Sequence, residues 1–212
     1  MAYNLEEQEQ LENLKAFWNR YGNFIVTLVT VIALSIAGWR AWGWYQERQA
    51  AQAAAVYETL REAAEERDVD RVRAAAGQLF DEYGGTVYGP MAALVAASAY
   101  VEAGDPKAAK MPLQWAIENA EDERFRHTAR LRLASILLDE GAYDEGLKTL
   151  DVESPGTFLG LYEDRRGDLL TAAGRYDEAR AAYDRALAAL GPNAALRSVV
   201  RLKRDALGGA PA

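Results

Sequence analysis

The side chains that could do chemistry are few and far apart. His127 is the single histidine among 212 residues, and cysteine is absent. That removes thiol catalysis, disulfides and Cys-ligated zinc, and leaves little material for a His-based triad or metal site. The acidic pairs Asp144-Glu145 and Asp177-Glu178 have the residue types for acid–base work or calcium binding. Each follows a glycine turn, where acids favour the positive end of the next helix, so their reading is structural. Asp164-Arg165-Arg166 reads as a solvated ion-pair set on a helix. None of the glycine spacings gives a phosphate-cradling loop followed by Lys-Ser/Thr. These residues point to a binding protein and not an enzyme, with no cofactor and no metal expected.

The elements that carry these residues follow from composition and periodicity. Half the residues are apolar and 26% are charged, which is the balance of an ordered chain. Forty-one alanines and six prolines favour helix throughout. The net charge of −8 argues against a nucleic-acid partner, which would need a basic footprint. The length accommodates one membrane-anchored domain or one large soluble domain.

Between Arg20 and Arg40 lie nineteen uncharged residues with the apolar centre FIVTLVTVIALSIAG. As a helix they span roughly 28 Å, close to the hydrocarbon thickness of a bilayer. Phe17, Trp18 and Tyr21 flank one end, and Trp39, Trp42, Trp44 and Tyr45 flank the other. Trp18, Arg20, Trp39, Arg40, Trp42 and Trp44 are therefore candidate membrane-interface anchors. A cleaved signal peptide and a buried core helix are the competing readings. An acidic tail with Glu6, Glu7, Glu9 and Glu12 is unlike the basic start of a signal peptide. Lys15 and Arg20 before the span balance Arg40 and Arg48 after it, so counting charges does not orient the helix. Leu5, Leu11, Leu14, Phe17 and Trp18 give the tail an apolar stripe, either an extension of the anchor or a docking helix for a membrane partner.

Beyond Tyr45 the chain carries 28 acids against 21 bases and reads as a soluble helical repeat. In Leu161–Pro192, the residues Gly167, Leu170, Gly174, Tyr176, Ala179, Tyr183, Ala186 and Pro192 fit the tetratricopeptide pattern. Small side chains let paired helices approach, Gly174 ends the first helix, and Tyr176 and Tyr183 fill the space between units. A second unit has Ala134, Gly141-Ala142-Tyr143 and Gly146. Its turn glycine precedes Gly174 by thirty-three residues. A third, weaker unit carries Ala97, Tyr100, Gly104-Asp105-Pro106 and Ala109, with Pro112 expected to kink or shorten its second helix. A degenerate unit is expected near Gln46–Glu66 and Val69–Tyr83, and a capping helix near Ala194–Ala206.

The expected fold is all-α, an N-terminal transmembrane helix followed by a tetratricopeptide-repeat-like solenoid. The expected divisions are a tail at 1–20, the anchor at 21–45, the repeat domain at 46–207 and a flexible end at 208–212. Stacked repeats offer a groove along their first helices, suited to extended or helical peptides. The pattern assigns to it Met91, Leu94, Ser98, Val101, Leu131, Ser135, Leu138, Asp164, Asp168 and Thr171. This lining is apolar and acidic, unlike a cationic clamp for a terminal carboxylate, and suits hydrophobic polypeptide segments.

Read in order, several phrases share a pattern: the acidic tail before LKAFWNRYG, then GWRAWGWYQ, YGPMAAL, ARLRLASILLDEGAYDEGLKTLD and DLLTAAGRYDEARAAYDRAL. With them the chain resembles, over nearly its whole length, the YfgM family, ancillary subunits of the bacterial Sec translocon. The resemblance implies an inner-membrane protein with its N-terminus in the cytoplasm and its repeat domain in the periplasm. It implies as partners the Sec channel, a membrane-anchored periplasmic chaperone of the peptidyl-prolyl isomerase type, and exported polypeptides. No catalytic residue carries over from the family. A scaffold that assembles another cell-envelope complex through the same groove is the alternative.

Overall fold

A computed structural model describes residues 3–192 and 194–208. Among these residues the regular structure is nine α-helices and one 3-10 turn, with no strand. The helices are α1 (Tyr3–Glu65), α2 (Val69–Tyr83), α3 (Tyr88–Glu102), α4 (Pro106–Asn119) and α5 (Glu123–Asp139). They continue as α6 (Tyr143–Thr149), α7 (Leu159–Ala172), α8 (Tyr176–Ala189) and α9 (Leu196–Ala206). The chain divides into two compact units, Met1–Gln49 and Ala50–Ala212. Of the stretch expected to be flexible, residues 209–212 lie outside the described residues, as do Met1 and Ala2 of the tail and the side chain of Leu5.

The first unit is helical throughout its described residues and carries the segment long and apolar enough to cross a membrane. Val29, Val31, Ile32, Leu34 and Ile36 are half exposed or more, which is not the burial of a soluble core helix. Its hydroxyls are hidden from an apolar solvent. Thr27, Thr30 and Ser35 each donate to the carbonyl four residues back, at 2.7, 2.8 and 2.8 Å. At the ends of the span, Phe17 packs on Tyr21, Trp42 on Tyr45, and the Arg48 guanidinium lies 4.3 Å from the Trp44 ring centroid.

The second unit is a stack of helical hairpins. Successive helices pack in chain order from α2 to α9, and α5 also packs on α7. Alanine makes this possible: Ala92, Ala93, Ala96, Ala109, Ala116 and Ala129 are fully buried, and their short side chains bring helix axes close. The largest core cluster joins Ala53, Leu60 and Ala63 of α1 to residues as far as Leu137 of α5. A second cluster, around Tyr183, holds α8 and α9. The smallest is centred on Leu150, Tyr162 and Leu169.

The hairpin turns share one mechanism. Gly104, Gly141 and Gly174 take φ of 80°, 76° and 74°. The following N–H of Asp105, Ala142 and Arg175 then reaches back to the carbonyl of Tyr100, Leu137 and Leu170, at 2.9, 2.8 and 2.8 Å. Aspartates start the next helices: Asp68, Asp105 and Asp122 accept from the backbone N–H of Arg71, Ala108 and Arg124. Asp144-Glu145 and Asp177-Glu178 fall in the first turns of α6 and α8. Small residues sit where another side chain presses in. A Cβ on Gly167 would stand 2.3 Å from the Tyr183 ring, and one on Gly146 would stand 2.7 Å from Leu169 Cδ2.

Four details differ from expectation. Tyr176 is 55% exposed and fills no inter-unit space, because it begins α8 on the solvent side. Helix α4 runs through Pro112 to fourteen residues, as long as α8, so the proline does not shorten it. The second helix of the α5–α6 hairpin stops after seven residues. A non-helical stretch and a 3-10 turn at Gly156–Phe158 replace its remainder, with Leu150 as the buried plug. Asp164-Arg165-Arg166 is not a solvated set, since Asp164 is only 7% exposed.

Candidate functional site

Helices α3, α5 and α7, the first helices of three hairpins, lie side by side through α3–α5 and α5–α7 contacts. Ten residues assigned to the groove fall on them, but they do not form one continuous surface. Leu94 and Ser98 line a cleft of about 320 Å³ with Ala64, Val95 and Glu102. Ser98, Val101 and Ser135 line an adjoining cleft of about 290 Å³ with Leu113, Ile136 and Asp139. Arg132 belongs to both. Its guanidinium reaches from α5 to α3, donating to the Leu94 carbonyl and to Ser98 Oγ, each at 2.9 Å. Met91 is half-buried beside this region and lines neither cleft. Leu131 and Leu138 are also half-buried, packed against the Leu150–Tyr162–Leu169 cluster.

At the other end Asp164 and Asp168 face this chain's own α9, and Thr171 joins them through the Tyr183 hydroxyl of α8. Lys203 Nζ donates to Asp164 Oδ1 and Oδ2 at 2.9 and 3.1 Å and approaches Asp168 to 2.8 Å. The Tyr183 hydroxyl donates to Asp168 Oδ1 at 2.9 Å and lies 3.3 Å from Thr171 Oγ1. Burial pushes the Asp164 carboxyl above the usual carboxylate range, opposed by its hydrogen bond from Lys203 and reinforced by neighbouring Asp168. The clefts at α3–α5 are open, whereas the α7 end is closed by α9.

His127, on α5, faces Tyr162 of α7. Its Nδ1 is 2.8 Å from the Tyr162 hydroxyl, and its ring stacks on Phe158 with centroids 4.9 Å apart. Burial lowers the imidazole pKa and pushes the Tyr162 phenol up to about 12. The pair fastens two helices together. Among the described residues, no group of three or more His, Asp or Glu side chains is disposed to hold a metal ion.

A family model for a tetratricopeptide repeat-like domain matches residues 15–209. An ancillary SecYEG translocon subunit of Neisseria gonorrhoeae is 30% identical over 211 residues, 98% of this chain and 100% of the relative. The chain belongs to the YfgM family. Proteins of the same name from Haemophilus influenzae and Escherichia coli are 29% and 28% identical. Those matches cover 88% and 84% of this chain, and 91% and 85% of the relatives. No solved structure matches the chain significantly.

For this member of the YfgM family, the repeat pattern locates the first-helix face but overlooks its most connected side chain. Arg132 directly follows Leu131, and the pattern that selects Leu131, Ser135 and Leu138 steps over it. The available signal was a long cation one position away from a chosen site on the same helix. Lys203 gave no such signal, because its partners lie 35 and 39 residues earlier.

Proposed function

We propose that this protein is a single-pass membrane subunit of the SecYEG translocon whose repeat domain binds exported polypeptides. The observation that supports this reading is the full-length match to a relative named as an ancillary SecYEG translocon subunit, from the tail through the apolar span to the last repeat helix. On this reading residues 21–45 cross the inner membrane and residues 1–20 are cytoplasmic. Residues 46–207 then form the periplasmic binding domain. Trp18, Arg20, Trp39, Arg40, Trp42 and Trp44 set its depth in the bilayer.

The binding surface is the α3–α5 face. Its clefts combine apolar walls from Leu94, Val101, Leu113 and Ile136 with hydrogen-bonding groups on Ser98, Ser135 and Arg132. That mixture suits an extended or helical segment that presents apolar side chains and free backbone groups. Asp164 and Asp168, which α9 covers through Lys203, join this surface only if α9 moves. A membrane-anchored periplasmic chaperone of the isomerase type is the second partner in this reading, receiving segments that leave the clefts. The protein acts by contact and not by catalysis.

The test is mild-detergent co-purification of the full-length protein from its native membrane, with and without Val101→Asp. Val101 is 47% exposed and lines a cleft, so the charge does not enter the core. The expected result is SecYEG subunits together with a periplasmic chaperone, with bound exported chains reduced at least severalfold by the substitution. Recovery of a different envelope complex and no channel subunit would overturn the assignment.

A further inference from the structure

We infer that the cleft between α6, α7 and α8 is a second binding site, one that takes an acidic polypeptide segment. It has a volume of about 440 Å³ and is lined by Lys148, Arg166, Arg175 and Arg185 against Asp151 and Glu178. Leu147, Leu170 and Ala181 complete its wall. Among the lining side chains cations outnumber carboxylates by four to two in a chain of net charge −8, and recessed charge at the wall focuses the field on an approaching anion.

The cations here are incompletely matched. Glu163, buried at 8% exposure, serves two guanidiniums, Arg185 at 2.8 Å and Arg166 at 3.8 Å. Arg166 Nε is buried without a hydrogen-bond partner, and its Nη2 has only the Leu150 carbonyl at 3.4 Å. Arg175 is held by Glu178 at 2.7 Å and meets Asp144 at 3.7 Å, the latter almost wholly in solvent. Among the described residues the lysine ion pairs are those of Lys110 and Lys203, so Lys148 stands unmatched at the cleft. Carboxylates are the natural complement, since guanidinium forks bind them with two parallel hydrogen bonds.

An acidic polypeptide fits better than a lipid surface. The cleft is recessed, its own Asp151 and Glu178 would repel a uniformly anionic plane, and none of its apolar lining residues is a large exposed side chain. A segment alternating acidic and apolar residues can place carboxylates on the cations and apolar groups on Leu147 and Leu170. The site does not rest on the reading of the α3–α5 face.

The experiment is fluorescence anisotropy with full-length protein in neutral detergent micelles. The probe is a short fluorescein-labelled peptide alternating glutamate and leucine. Saturable, salt-sensitive binding is expected, weakened about tenfold or more by Lys148→Glu with Arg175→Glu. Lys148→Gln alone should weaken it severalfold; that side chain makes no ion pair, so the single variant stays decisive if the double variant fails to fold. A lysine–leucine peptide should not displace the probe. Absence of saturable binding, or equal binding by folded variants, would overturn the proposal. So would mixed micelles carrying phosphatidylglycerol that engage through Lys148 and Arg175 while the peptide does not bind.

Discussion

Arg67 holds φ of 59°, the left-handed conformation that Gly104, Gly141 and Gly174 adopt at the other hairpin turns. The same reach-back bond follows it, from Asp68 N to the Ala63 carbonyl at 2.9 Å. Side chains with a Cβ resist this backbone, so the turn carries a strain that its three counterparts lack. Arg67→Gly should raise stability by about 0.5–1 kcal/mol, the relief outweighing the extra freedom glycine gives the unfolded chain. A denaturant midpoint shifted upward at unchanged slope would bear this out, and a downward shift would contradict it. His127 supplies a second residue-scale prediction. Burial, with Arg130 and Arg126 on the same helix, lowers its folded pKa, and Glu123 opposes the change. The unfolded chain takes up this proton near pH 6.5, the folded chain at lower pH. The stability it contributes is therefore whole above about pH 6.5 and is lost as the pH falls through the folded value. Thermal melts between pH 7.5 and 5.5 should show that loss, and His127→Gln should flatten it.

At the scale of elements, α9 covers Asp164 and Asp168 with one cation, Lys203, while its Arg204 pairs with Asp184 and its Arg197 donates to the Leu187 and Leu190 carbonyls. Asp164 and Asp168 are 9% and 16% exposed at the side chain, while Lys203 is 31% exposed. Removing the ammonium leaves two carboxylates facing each other with little water, whereas removing one acid as well relieves the repulsion. Lys203→Met should destabilise the domain by roughly 1–3 kcal/mol, less than a fully buried pair because the lysine is part-solvated. Adding Asp164→Asn should recover part of that loss in a double-mutant cycle. A purely additive cycle would show that Lys203 and Asp164 are not coupled and that α9 is held by its other contacts, Val200 in the core and Arg204 on Asp184 among them. The hairpins themselves were legible in the sequence, because left-handed turns and close helix approaches admit few residue types: Gly174, Gly167, Ala179 and Tyr183 announce them. The stop in α6 was legible too, in Ser154-Pro155-Gly156, but the repeat pattern carried the reading past it. The covering by α9 was not legible, since an ion pair spanning 39 residues follows no local spacing. The basic cleft is likewise assembled from cations on three helices, and Asp164-Arg165-Arg166 looked solvated only because its covering helix comes later in the chain.

For the molecule as a whole, the organisation follows from two solvents. In the first unit the described helix turns its hydroxyls onto its own backbone and leaves apolar side chains outward, which suits lipid. In the second, alanines lie inward and aspartates cap helix ends, which suits water. In the proposed function, a binding module tethered by a membrane span stays near the channel, so that modest affinity serves at high local concentration. The reading of the α3–α5 face as the contact surface belongs to this scale, and a photo-activatable crosslinker tests it most directly. Placed at Val101 of the full-length protein in exporting cells, it should yield adducts with SecYEG subunits or exported chains. The same group at exposed Arg73 of α2 should yield none. Adducts from Arg73 alone, or adducts from Val101 containing no translocon subunit and no exported chain, would contradict the account.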